Sequence, residues 1–112
     1  MAFTPKKLVQ GTMLTTSAAT LYTCPANTRA GITRFSATET SGAARTITVH
    51  IVASGGTASA TNKVTNVRTL DANESADINE AKHILEAGDT IQALADAGSA
   101  VNVQVSGNLT TT

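Results

Sequence analysis

The sequence lacks tryptophan, and aromatic residues make up only 3% of its 112 positions. Charged residues are also scarce, at 14%, and eight basic side chains are balanced by eight acidic ones. Without a basic excess there is no counterion-release term to hold a phosphate backbone, and with so few aromatics there is little on which bases can stack. The composition therefore argues against nucleic-acid binding.

The chain has one cysteine, Cys24, which excludes an intrachain disulfide and hence a disulfide-stapled secreted scaffold. A nucleophilic role for Cys24 would need a base, and the only histidines, His50 and His83, lie in no recognisable motif. We therefore interpret Cys24 as structural. Lys6 and Lys7 resemble the start of a signal peptide, but polar residues interrupt the segment that follows, so we expect neither an export signal nor a membrane span.

No motif predicts catalysis, a cofactor or a resident metal. The densest acidic cluster, Asp71, Glu74 and Asp77, lacks the Asp-x-Asp-x-Asp-Gly pattern of a calcium loop and is interpreted as a solvated edge. Calcium at a subunit interface stays open as an alternative. We expect His50 on the solvent side of its strand, where it has no second ligand for zinc. No serine lies in a Gly-x-Ser-x-Gly setting. The sequence therefore predicts a protein that is not an enzyme.

β-branched runs separated by Gly, Asn, Ser and Pro predict an all-β protein, with Thr alone occurring 20 times. The clearest strand is 46–52, in which Ile47, Val49 and Ile51 alternate with polar residues. Segment 101–105 repeats this pattern with valines, and Gly107 is expected to close that strand. Weaker strands are predicted at 6–14, 18–23, 30–38, 63–70, 74–79 and 89–95. We expect a single-domain antiparallel β-sandwich of about eight short strands, either jelly-roll or immunoglobulin-like.

The segments between these strands also predict turns, loops and boundaries. Asp96 to Ser99 predicts a tight turn that makes strands 89–95 and 101–105 a hairpin. The loop 53–62 has no large apolar residue and should be exposed and mobile. A helical turn near 79–85 is an alternative to the strand, turn, strand that we favour. The predicted division is an N-terminal arm at 1–7, a sandwich domain at 8–109 and a C-terminal tail at 110–112.

Charge is distributed unevenly along the chain. Residues 1–68 hold seven basic side chains and one acid, whereas residues 69–112 hold one lysine and seven acids. In an interleaved β-fold the two halves can neutralise each other. The alternative is that they form complementary faces between subunits.

Three short segments carry a resemblance. They are Leu21-Tyr22-Thr23-Cys24-Pro25, Glu39-Thr40-Ser41-Gly42 and Leu85-Glu86-Ala87-Gly88-Asp89-Thr90-Ile91. Together with the flanking strands they resemble small virion proteins of tailed bacteriophages over most of the chain. The resemblance implies a non-enzymatic β-sandwich on the virion and supplies no catalytic residues.

The resemblance and the composition together predict a capsid decoration protein that binds the assembled head, at the capsid surface, after synthesis in the host cytoplasm. The expected partners are the major capsid protein and further copies of the chain, as a homotrimer or homodimer, with no nucleic acid and no membrane. The alternative is a tail or fibre module that contacts the host surface. The candidate contact residues are Phe3, Pro5, Lys6, Lys7 and Arg45 for the shell, and Leu94 for a neighbouring subunit.

Overall fold

The β-branched runs form nine strands in the computed structural model, which describes residues 3–111 and, for Phe3, only the backbone. The strands are β1 Phe3–Met13, β2 Ala19–Thr23, β3 Thr28–Glu39, β4 Arg45–Val52, β5 Lys63–Leu70, β6 Ser75–Asp77, β7 Ile84–Leu85, β8 Thr90–Ala95 and β9 Val101–Thr111. The described residues contain no α-helix, and their two 3₁₀ turns are Ala60–Asn62 and Asn79–Ala81.

The strands pair into two antiparallel sheets. Sheet A has the order β1-β9-β3-β6, with β7 also pairing with β3, and sheet B has the order β2-β8-β4-β5. When β6 and β7 are counted as one interrupted strand, each sheet has four strands and the chain passes repeatedly from one sheet to the other. This is the double-sheet arrangement of a jelly roll, so the predicted all-β sandwich is confirmed.

The core lies between the inner faces of the two sheets. Six apolar residues alternate along the segments 46–52 and 101–105; five of them are buried, and Ile51 is partly buried against the others. The five are Ile47, Val49, Val101, Val103 and Val105. β4 and β9 lie in different sheets, so their alternating apolar residues meet across the interior. Phe35 is fully buried between them and is the largest side chain of the core.

The predicted hairpin between strands 89–95 and 101–105 is wrong. β8 pairs with β2 and β4 in sheet B, whereas β9 pairs with β1 and β3 in sheet A. The connecting residues therefore cross from one sheet to the other, and the buried Ala100 forms part of this crossing. Period-2 alternation shows which side chains face inward, but it does not show which strands are neighbours.

The closure of the last strand at Gly107 is also wrong, because β9 continues to Thr111. Gly107 lies between β1 and β3 and pairs with both Lys6 and Ile32. A side chain there would collide with the carbonyl of Gly31, so glycine is required by close backbone approach rather than by a turn.

Both boundaries of the predicted domain fall inside strands. β1 continues across the boundary between residues 7 and 8, although its pairing with β9 has a bulge there, and its first residues pair with the end of β9. β9 likewise includes residues 110 and 111 of the expected tail. Residues 1, 2 and 112 of these two segments lie outside the described part of the chain.

The stretch from 73 to 87 combines the two alternatives considered for it. β6 and β7 flank the 3₁₀ turn Asn79–Ala81, so strand, turn and strand follow one another with a single short helical turn between them. The buried Ile78 and Ala81 hold this turn against the core. Backbone hydrogen bonds to β3 continue at Ile78 and at His83, and the turn between these two residues leaves the pairing, so β6 and β7 are short.

Candidate functional site

The first half of β1 is the free edge of sheet A, since β1 pairs only with β9 among the described strands. Pro5, Lys6 and Lys7 are exposed there, and the side chain of Phe3 lies outside the described residues. Lys6 pairs with Gly107 and Lys7 with Ser106, so the two lysines point to opposite faces of the sheet. Proline and lysine on an edge strand also discourage indiscriminate strand addition.

A second cation joins Lys7 on the outer face of sheet A. Ser106 pairs with Lys7 on one side and with Arg34 on the other, which places both cations in one row across three strands. Thr33 is the extra residue of a bulge that precedes Arg34, so simple alternation along 30–38 assigns Arg34 to the wrong face. This side chain was therefore missed by the sequence analysis.

A shallow groove of about 510 Å³ adjoins this row. Its floor includes Gly31 and Asn108, and Ile84, which is 65% exposed, forms one wall. Arg29 and Glu86 form an ion pair across it with Nε and Oε2 2.8 Å apart. The groove is lined by Arg29, Ala30, Gly31, Ile84, Glu86, Asn108 and Thr110. Among the described residues that line it, no nucleophile and base are in contact.

Arg45 lies far from the lysines of β1. It begins β4 in sheet B, and its Nε donates to Ser41 Oγ near the residue pair Glu39 and Val101. Val101 is six residues along β9 from Gly107, the partner of Lys6, which corresponds to about 20 Å of extended strand. The structure therefore does not bring Arg45, Lys6 and Lys7 together into one basic face.

The carboxylate of Glu39 organises the end of the sandwich near Arg45. Glu39 is buried and accepts hydrogen bonds from the N–H groups of Ser41 (2.7 Å), Gly42 (2.8 Å) and Asn73 (3.2 Å), and from the Ser41 hydroxyl. Burial raises the pKa of this carboxyl, but the hydrogen bonds from Ser41, Asn73 and Gly42 outweigh burial and lower the pKa to about 2. Glu39 thus joins two loops as an anion at neutral pH.

The charge difference between the two halves of the chain is partly neutralised within the fold. Arg29 and Arg68 from the first half contact Glu86 and Glu80 from the second, although all four side chains are substantially exposed. Such exposed pairs contribute little to stability. Among the residues that the structure describes, Lys6, Lys7 and Arg34 form no such ion pair.

His50 is buried, so its predicted place on the solvent side of β4 is corrected. Asn62, the last residue of the loop 53–62, lies against the ring. Asn62 accepts from the Ser59 N–H through Oδ1 and donates to the Thr57 carbonyl through Nδ2, which fixes the orientation of its amide. His50 Nδ1 must then donate to Asn62 Oδ1, at 2.7 Å. The histidine holds the loop in place.

The remaining reactive side chains take structural positions. Cys24 is buried, and its Sγ contacts the carbonyl of Thr28 at 3.3 Å. Burial, followed by the charge of Asp89, raises the pKa of this thiol, which opposes its use as a nucleophile. Among the described residues, no three His, Cys, Asp or Glu side chains are arranged to hold a metal. Within residues 3–111, no helix has the length and apolarity needed to cross a membrane.

The outer face of sheet B contains Leu94, as its alternation with the buried Ile91 and Ala93 predicts. Leu94 is partly exposed and pairs with Thr48 of β4. On the other side of Thr48, a bulge in β5 places Val67, which is 57% exposed. Val67 was missed because no feature of the sequence 63–70 marks it as different from the other residues of the strand.

Comparison with known protein-family models finds no match, and comparison with curated proteins finds none either. Among solved structures, the chain is similar to a protein from the study "Bacillus endospore appendages form a novel family of disulfide-linked pili". The TM-score is 0.60 with 16% sequence identity, over 97% of this chain and 88% of the Bacillus chain. At this identity the likeness supports the fold alone.

Proposed function

We propose that this chain is a non-enzymatic structural protein of a bacteriophage virion, and that it binds the assembled head as a capsid decoration protein. The observation that carries the proposal is the first half of β1. It is a free sheet edge whose two lysines have no ion-pair partner among the described residues. An edge strand provides backbone groups for pairing, and the lysines provide charge for a carboxylate-bearing surface.

The architecture supports this proposal by analogy. Jelly rolls are frequent among viral capsid domains, and the resemblance of three segments to small virion proteins points in the same direction. The Bacillus protein, whose study describes pili, is a structural neighbour that builds a surface assembly. Its pili are disulfide-linked, whereas the one cysteine of this chain is buried, so assembly here would proceed without such links.

The alternative, a tail or fibre module on the host surface, receives less support. Sugar-binding sites commonly use exposed aromatic rings, and of the described aromatic side chains Phe35 is buried while Tyr22 packs against the core. A module of this kind would have to recognise its receptor without these two rings.

The test is the occupancy of purified empty heads of the encoding phage, measured from low to high salt. We expect occupancy to fall as salt rises, because exposed charges are screened beyond roughly 8–10 Å at physiological ionic strength. The double variant K6E/K7E should weaken binding, and K63E, which changes an exposed lysine of sheet B, should not. Deletion of residues 1–7 should also release the protein while leaving it folded, since Leu8 is the first buried side chain described.

Two results would contradict the proposal at different levels. If the full chain binds heads but neither salt, K6E/K7E nor the deletion reduces occupancy, the basic contact is wrong and decoration stands. If the full chain does not bind heads under any of these conditions, decoration itself is rejected.

A further inference from the structure

Val67 has a backbone conformation that its side chain disfavours. Its φ is +50°, in the left-handed region, where β-branched residues are genuine outliers. Asn66 and Val67 together oppose Thr48 in a bulge of β5, and the Val67 N–H donates to Thr48 Oγ1 at 3.1 Å. Glycine or asparagine would adopt this conformation at lower cost. The fold therefore carries strain at a side chain that contributes little to the core.

The neighbours of Val67 place its strained side chain on the outer face of sheet B. Thr48 pairs with Leu94 on its other side, so Val67, Thr48 and Leu94 form a row across β5, β4 and β8. Thr48 is only 6% exposed, whereas Val67 and Leu94 on either side of it reach solvent. The row is an apolar strip in the middle of the outer face of sheet B.

The rows next to the strip are polar, and each has a single charged residue at its end. Thr46 and Thr69 lie on one side, and His50 and Gln92 on the other. Lys63 is at a corner of the face, where its Nζ donates to Asn66 Oδ1 at 3.1 Å. Asp96 lies at the end of β8 and accepts the Thr46 N–H. The centre of the face is thus free of charge, in contrast to the Lys7 and Arg34 row on sheet A.

A face whose centre is partly apolar and free of charge suits a contact with a second copy of the same chain. A two-fold contact brings each surface against itself, so a face bearing charges of one sign would repel its own copy. The face of sheet B avoids this repulsion, and the face of sheet A does not. The exposed Val67 side chain would be buried from water in such an interface. This burial explains why a strained valine occupies the bulge.

We propose that two copies of the chain pack through the outer faces of sheet B about a two-fold axis, with Val67 and Leu94 near its centre. This gives the oligomer of the proposed function an interface and leaves the edge of β1 free for a shell. The proposal itself depends only on the outer face of sheet B.

The experiment is sedimentation equilibrium of the full chain over a range of concentrations, with thermal unfolding of each variant. We expect a dimer for the wild type, and a dissociation constant raised roughly tenfold or more by V67D and by L94D. The matched control is I84D, which changes an exposed isoleucine of sheet A and should leave dimerisation intact.

The variant V67G separates association from stability. Glycine accepts a positive φ, so V67G should unfold at a higher temperature than the wild type or at the same one, while its dimer dissociates more readily. A wild type that is monomeric at all concentrations would overturn the proposal. So would a dimer that is weakened by I84D but by none of the changes at Val67 and Leu94. A dimer that does not bind heads would contradict the proposed function and leave this interface standing.

Discussion

Replacement of Gly107 by alanine tests the close approach of β9 and β3. A Cβ at this position would lie 2.2 Å from the Gly31 carbonyl oxygen and 2.9 Å from Leu8 Cδ1. The Leu8 side chain can rotate away, but the carbonyl belongs to a backbone paired within sheet A. Ordinary contact needs about 3.4 Å, so the two strands must separate locally by about 1 Å.

Overpacking of a core lowers the free energy of unfolding by about 1–3 kcal/mol. Because the Gly31 carbonyl is part of a paired backbone and cannot move aside, we expect a loss near the upper value for G107A. At about 4 °C per kcal/mol for a domain of this size, G107A should unfold about 10 °C below the wild type. The control is G98A, because a Cβ at Gly98 meets nothing within 4 Å and the residue has no positive φ. Its unfolding temperature should change by about 2 °C or less. If G107A also unfolds within that margin, the close approach is not real.

Two further predictions concern the core and the Glu39 carboxylate. V103D should give no soluble folded protein, because an unpaired buried carboxylate costs several kcal/mol, and a cooperative unfolding transition of V103D would refute the core assignment. The contribution of Glu39 should be complete above pH 4.5, its usual pKa, and should be lost as the pH falls from 4.5 towards about 2. E39Q should therefore unfold below the wild type at pH 7, and the gap in unfolding temperature should narrow at pH 3; an equal gap at both pH values would contradict this.

The strands that could be predicted are those whose alternation is regular. β4 and β9 have apolar residues at every second position, and both face the core as the pattern requires. β7 has two residues, too few for any period to appear, and its position depends on pairing with Ala30 and Gly31 of β3. The pairing of β8 was mispredicted because a turn sequence does not specify whether the chain reverses within one sheet or crosses to the other.

The surfaces were less predictable than the core because they depend on bulges and on loops. The outward position of Leu94 follows from alternation within an unbroken strand. Arg34 and Val67 follow or occupy bulges, where one extra residue changes which side chains share a face. Alternation along β4 places His50 on the outer face, but the residue is buried and contacts Asn62 of the loop 53–62. The position of an irregular loop cannot be predicted from sequence periodicity.

The two proposed contacts respond to salt in opposite ways, which follows from the different chemistry of the two sheets. Lys6 and Lys7 on the edge of sheet A would attach the protein through exposed charges, and salt weakens such contacts. The strip around Val67 and Leu94 on sheet B would associate through apolar burial, which sulfate strengthens. At high concentrations of sulfate, the chain should therefore remain dimeric while it leaves the head. Loss of the dimer under the same conditions would contradict an apolar contact between the copies.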